Sequence, residues 1–187
     1  MLGTRTIAAL LLMASPALAA GPEDPVKSIM DLATKLWSDS GAEGQDYFDK
    51  QRLDTLYSKA FVSAYQQAAK FPIYDEAGGP FGYDIVTNSQ DGCPLKDLAI
   101  VNQGEKAGVT DIKVTFKLYT CFDDDPTYKD GVSEVHFDVI MENGQPVIAD
   151  IHRVIEGKAD SLITEMQDIA KNGGAAPDDA PTDPEQK

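Results

Sequence analysis

Positive charge is scarce in this chain: 16 lysines and arginines stand against 31 aspartates and glutamates, a formal net charge of −15. So few cations form no basic stripe of the kind a phosphate backbone needs, which argues against nucleic-acid binding. An anionic membrane surface would repel the chain as well. Sulfur and imidazole are scarcer still, with two cysteines and two histidines. There is no C-x-x-C pair, P-loop, H-E-x-x-H, nucleophile elbow or glycine-rich dinucleotide fingerprint. These gaps remove the zinc, redox, nucleotide and serine-hydrolase chemistries that announce themselves by local spacing, and no motif implies a cofactor. Beyond the N-terminus, no stretch approaches the ~18 apolar residues a membrane helix needs.

The one apolar run that does occur opens the chain. In MLGTRTIAALLLMASPALAAGPEDP, Arg5 supplies a short positive region, and Ile7 to Ala14 form an apolar core too short to span a bilayer. Pro16 breaks the helix, and Ala17-Leu18-Ala19 is a small-x-small cleavage pattern. Residues 1–19 therefore read as a secretory signal peptide, and the expected location is periplasmic or secreted. Cleavage after Ala19 or Ala20 leaves about 168 residues, roughly one domain. No cysteine follows the apolar core and one arginine precedes it, so neither a lipid anchor nor twin-arginine export is expected. In an oxidising compartment Cys93 and Cys121 most simply form one disulfide. In the chain-entropy picture that link stabilises by roughly 3–4 kcal/mol.

Hydrophobic spacing divides the rest. Asp24 and Pro25 suit a helix start, and Val26, Ile29, Met30, Ala33, Leu36 and Trp37 recur on one face, predicting a first helix. Leu53, Leu56, Tyr57, Phe61, Ala64, Tyr65 and Ala68 predict a second that stops near Pro72. From Ile73 to Pro94 glycine and proline accumulate without periodicity, the mark of a long irregular connection. The period then switches to two. Strands are expected at 98–103, through VTDIKVTFKLYT, along Val135, Phe137, Val139 and Met141, and along Val147, Ala149 and Ile151. Asp160 is placed to cap a last helix that Gly173-Gly174 end. The acidic, proline-rich end, residues 172–187, reads as a disordered tail. Helix, helix, strands, helix is not βαβ alternation. The expected fold is α+β: a single domain over 25–171, with a curved antiparallel sheet of about four strands, two N-terminal helices and one C-terminal helix.

Three short stretches carry a resemblance: Gln90-Asp91 after the irregular segment, Ile148-Ala149-Asp150-Ile151 in the last strand, and Ser161-Leu162 at the start of the final helix. With these the chain resembles a family of bacterial periplasmic domains of unknown function with the nuclear-transport-factor-2-like (cystatin-like) fold. The resemblance covers about Pro25 to Lys171 and implies a cone-like α+β fold. The family carries no agreed activity. The wider fold hosts enzymes, ligand pockets and dimeric scaffolds, so it implies no reaction.

EVHFDVIMENGQPVIADIHRV holds both histidines. A two-residue turn at Asn143-Gly144 would set Phe137 opposite Asp150. A three-residue loop, Asn143 to Gln145, pairs Met141 with Val147, Val139 with Ala149 and Phe137 with Ile151, and leaves one face wholly apolar. The second register is expected. It places His136 opposite His152 and Asp138 opposite Asp150 on the outer face, within reach of each other. This quartet is the candidate binding cluster. It reads as a polar outer face or interface, with Lys113 and Lys117 screening the aspartates; metal binding and acid–base chemistry are the other readings. Gln90, Asp91 and Tyr83, with Phe81 and Tyr74 nearby, are candidate pocket residues at the open end of the cone. Asp123, Asp125 and Glu134 have part of a calcium-loop spacing, but Tyr128 stands where that loop needs glycine. No catalytic or metal-ligating residue is assigned.

The functional expectation is a non-catalytic binding or interaction module for an unknown protein or small ligand, with the polar face as the candidate surface for a homodimer. One alternative is a small hydrolase or isomerase using Asp150 or Asp91 with a histidine. Another is an immunity or inhibitor protein for a basic secreted toxin.

Overall fold

The computed structural model describes residues 20–41, 45–73, 79–122 and 129–174. The signal-like segment, Tyr74, Asp123, Asp125 and the tail from residue 175 lie outside them. Helix α1 (Asp24–Leu36), α2 (Lys50–Thr55) and α3 (Lys59–Ala68) precede strands β1 (Lys96–Lys106), β2 (Val109–Lys117), β3 (Ser133–Glu142), β4 (Gln145–Ile155) and β5 (Lys158–Ala159), and α4 (Leu162–Asn172) closes the order. The strands form one antiparallel sheet in sequence order, β1-β2-β3-β4-β5. The fold is α+β, as the spacing predicts. The short β5 adds to the four expected strands, because the Glu156-Gly157 turn folds the chain back onto β4.

The predicted second helix is two. Asp49 accepts the Arg52 amide and starts α2, and Ser58 accepts the Phe61 amide at 3.1 Å and starts α3. Between them Tyr57 bridges to Ile148 and Ser58 is extended. The Leu56 carbonyl accepts the Ile148 amide and the Ser58 amide donates to the Ile148 carbonyl, both at 2.8 Å, so this short link lies along β4. Two predicted caps also differ. Asp24 lies within α1 and accepts the Gly21 amide. Ser161, not Asp160, caps α4 by accepting the Thr164 amide at 3.1 Å.

The β3–β4 hairpin combines both registers considered above. Its turn has two residues, with Asn143 (φ 52°) and Gly144 (φ 78°) in the left-handed region and Glu142 facing Gln145. Met141 therefore meets Pro146 and Val139 meets Ile148, not Val147 and Ala149. Ala149 is then an extra residue, and that bulge moves the register by one. Below it Phe137 faces Ile151, Asp138 faces Asp150 and His136 faces His152. The bulge removes the conflict, an aromatic opposite a charge, that made the tight turn look wrong.

Phe116, Phe137, Ile148 and Ile151 on the inner face are fully buried against Ile29 and Met30 of α1, Phe61 of α3, and Leu162 and Met166 of α4. β1 is an edge strand, largely exposed and broken by two register shifts, which blunts it against further strand pairing. Cys93 and Cys121 form the expected disulfide, and the Cys121 amide donates to the Cys93 sulfur at 2.9 Å. This link ties the irregular segment to the end of β2. There Gly92 lies so close to Leu118 and Trp37 that an added Cβ would sit 2.7 Å from one and 2.9 Å from the other.

Among the described residues one charged side chain is buried in this core. Arg153, 5% exposed, occupies an inner-face position of β4. Its Nε donates to Asp160 at 2.7 Å, its Nη2 to Glu165 at 2.7 Å and its Nη1 to the Tyr83 hydroxyl at 2.7 Å. Tyr83 in turn donates to Glu165 at 2.6 Å. One guanidinium thus joins β4, the β5–α4 junction, α4 and the irregular segment. Replacing Arg153 with alanine leaves two carboxylates facing each other, so the expected cost is about 3–5 kcal/mol by urea denaturation. Reducing the disulfide is expected to cost about 3–4 kcal/mol in the same assay; an unchanged midpoint in either case would count against these roles.

Candidate functional site

The predicted quartet splits into two separate clusters. His136 Nδ1 lies 2.8 Å from Asp111 and Nε2 3.0 Å from Glu134. His152 Nε2 lies 3.1 Å from Asp138, and its Nδ1 donates to the Asp160 carbonyl at 2.5 Å. Both nitrogens of each ring thus face oxygen acceptors, which is the environment of an imidazolium. Partial burial opposes the charge of His136, but the hydrogen bonds to Glu134 and Asp111 outweigh it and hold its pKa above the ordinary value. The Asp138 hydrogen bond pushes His152 up to about 9, against partial burial. The expectation that Lys113 and Lys117 screen Asp138 and Asp150 is not met. Lys113 pairs with Glu134 at 2.5 Å and Lys117 with Asp97 at 3.1 Å, because each reaches a carboxylate on a directly neighbouring strand.

Asp150 is neither solvated nor aimed into a pocket. Beside the Ala149 bulge it accepts the Ile163 amide at 3.0 Å and its neighbour Ile151's amide at 2.8 Å, and Ser161 Oγ donates to it at 2.5 Å. It is an anionic anchor for the first turn of α4, where the helix dipole favours negative charge. Among the described residues no three of His, Cys, Asp and Glu gather as metal ligands.

The candidate pocket residues also separate. Gln90 donates to the Gly82 carbonyl at 2.8 Å, and Asp91 accepts the Gly92 amide at 2.8 Å, so both shape the turn that carries them. Tyr83 does line a cavity, of about 220 Å³, together with Tyr47, Phe48, Tyr65 and Phe81. The rings are not parallel all round. Phe48 stacks on Tyr65 at 4.3 Å, Phe81 tilts 39° to Phe48, and Tyr83 tilts 58° to Phe81. Asp46 and Asp84 complete the polar part of the wall. Asp84 accepts the Tyr47 hydroxyl at 2.7 Å, Trp37 Nε1 at 3.0 Å, and the Val86 and Thr87 amides at 2.9 and 2.8 Å. Burial raises the pKa of Tyr47 and of Tyr83; Asp84 adds to the first, and Glu165 adds to the second against the pull of Arg153. A larger groove of about 550 Å³ runs between α2, α3 and the hairpin tip, past Leu53, Val62 and Gln145. Tyr57 is its one aromatic lining residue, beside Asp54, Lys59 and Glu142, so the smaller cavity is the more aromatic site.

Arg153, Asp84, Tyr47, Phe48 and Tyr65 play no part in the site as read from the sequence alone. Arg153 left a trace: it falls on the apolar alternation of Ile151, where an arginine must be buried with partners. Asp84 left another, as an aspartate before two residues whose amides it caps. The aromatic residues come from distant segments and left none.

No protein-family model, curated protein or solved structure matches this chain. Fold and geometry together define an α+β domain with an ion-paired outer sheet face and an aromatic cavity at the irregular segment.

Because His152 has a raised folded pKa, its stabilising interactions are present in full below about pH 6.5, its ordinary value, and are lost as pH rises toward 9. The unfolding midpoint is expected to fall across that range, and Asp138→Asn to flatten the slope. An NMR titration of His152 with a midpoint near 6.5 would refute the pairing.

Proposed function

We propose that this chain is an exported, non-catalytic binding module whose ligand site is the aromatic cavity beside Phe81 and Tyr83. One observation carries the reading: five aromatic rings from three separate segments line one cavity, and two of its hydroxyls are already engaged with the protein. The Tyr47 hydroxyl is held by Asp84, and the Tyr83 hydroxyl by Glu165 and Arg153. With tyrosines raised by burial and the histidines paired with acceptors on the sheet, no acid–base pair converges on the cavity among the described residues. What it offers is shape, aromatic surface and negative charge, which are the properties of a binder. The signal-like start and the disulfide support export. The three short motif matches and the α+β fold support membership of the nuclear-transport-factor-2-like periplasmic family. The enzyme reading draws little support from Asp150, which is committed to α4, or from Asp91, which is exposed at a turn.

A thermal-shift screen of small molecules against the protein and Phe81→Ala tests this reading. The expected result is a ligand class that stabilises the former, not the latter, and is recovered unchanged by mass spectrometry. A ligand that is chemically converted, with conversion lost in Asp150→Asn or Asp91→Asn, would establish the enzyme instead.

A further inference from the structure

The composition of the aromatic cavity narrows what it can hold. Five rings and two carboxylates line it, and no lysine, arginine or histidine does among the described residues. An anion meets Asp46 and Asp84. A neutral polar molecule meets the Tyr47 and Tyr83 hydroxyls, already spent on Asp84 and Glu165. A neutral apolar molecule gains from the rings but nothing from the carboxylates. Only a ligand with an apolar surface and a positive charge uses both.

The two carboxylates keep their charge available. The described partners of Asp84 are neutral donors: a phenol, an indole and two amides. The Asp46 carboxylate accepts the Phe48 amide at 3.1 Å; the Arg52 guanidinium pairs with the Asp49 carboxylate and donates to the Asp46 backbone carbonyl at 3.2 Å, not to its carboxylate. The Tyr83 ring already carries a cation, with the Arg153 guanidinium carbon 5.1 Å from its centroid, and that charge is matched by Asp160 and Glu165. The chain's net charge of −15 raises the local concentration of cations around it.

We propose that this cavity binds a small organic cation of the quaternary-ammonium type, its onium head against the rings and its charge balanced by Asp46 and Asp84. Rings grouped around an alkylated ammonium attract it through their quadrupoles, most strongly when the site is desolvated. A volume of about 220 Å³ lies below the ~300–1,000 Å³ of drug-sized sites, which suits tetramethylammonium or choline. This inference rests on the reading of the chain as a binding module with its site at the cavity.

Isothermal titration calorimetry of the full chain, in buffer free of amines, decides it with three probes: tetramethylammonium, choline and 3,3-dimethylbutan-1-ol, the uncharged isostere of choline. The expected result is saturable 1:1 binding of the two cations, with the isostere at least about tenfold weaker. Phe81→Leu, which keeps bulk and removes a ring, and Asp46→Asn, at an exposed position, are each expected to weaken choline severalfold with the unfolding midpoint unchanged. Asp46→Asn keeps the test open if Phe81→Leu disturbs folding. Equal affinity for choline and its isostere would overturn the cation inference while leaving a binding module. Absence of binding by all three would overturn it too, and the unbiased screen would then judge the module by itself.

Discussion

The buried guanidinium of Arg153 is the constraint on which much of this structure depends. An unpaired charge at that depth would cost several kcal/mol, so its partners must be delivered by other parts of the chain. They come from three: Asp160 beyond β5, Glu165 on α4, and Tyr83 in the irregular segment. Each hydrogen bond ties β4 to another part of the chain. Helix α4 is then positioned twice, by Arg153 through Glu165 and by Asp150 through the Ser161 hydroxyl and the Ile163 amide. The Tyr83 ring is fixed by the same network, and this holds one wall of the cavity rigid.

The Ala149 bulge is the second constraint. It reconciles a tight Asn-Gly turn with an apolar inner face, and it lies beside Asp150, which reaches the start of α4. Below the bulge the outer face works as a ledger of charges. Asp97, Glu134, Asp111 and Asp138 pair with Lys117, Lys113, His136 and His152, and Asp150 lies 3.8 Å from His152 as a fifth carboxylate. A polar face of this kind is tuned by pH while the core behind it is not.

The aromatic cavity draws on a different part of the molecule. Its rings come from the loop before α2, from α3 and from the irregular segment, and Asp84 ties that segment to Trp37 at the end of α1. The disulfide holds the same segment to the end of β2. A stretch rich in glycine and proline thus gains order from side-chain hydrogen bonds and one covalent link.

Sequence periodicity by itself determined the fold class, the strand alternation, the faces of α1 and α4 and the cysteine pair, because local hydrophobic spacing and compartment chemistry act over short range. The opposition of His136 to His152 was legible too, since an apolar inner face admits few registers. The bulge was not: a turn and an inner face that each read correctly conflict unless one residue is skipped, and nothing local marks which. Nor was the break between α2 and α3, where pairing with Ile148 overrides helical spacing. Only the tertiary structure decided that Asp150 anchors a helix, that Asp138 serves His152, and that rings separated by many residues share a cavity. Partner choice for polar and aromatic side chains depends on which distant groups packing brings within 3 Å or a ring's width, and linear order does not encode that distance.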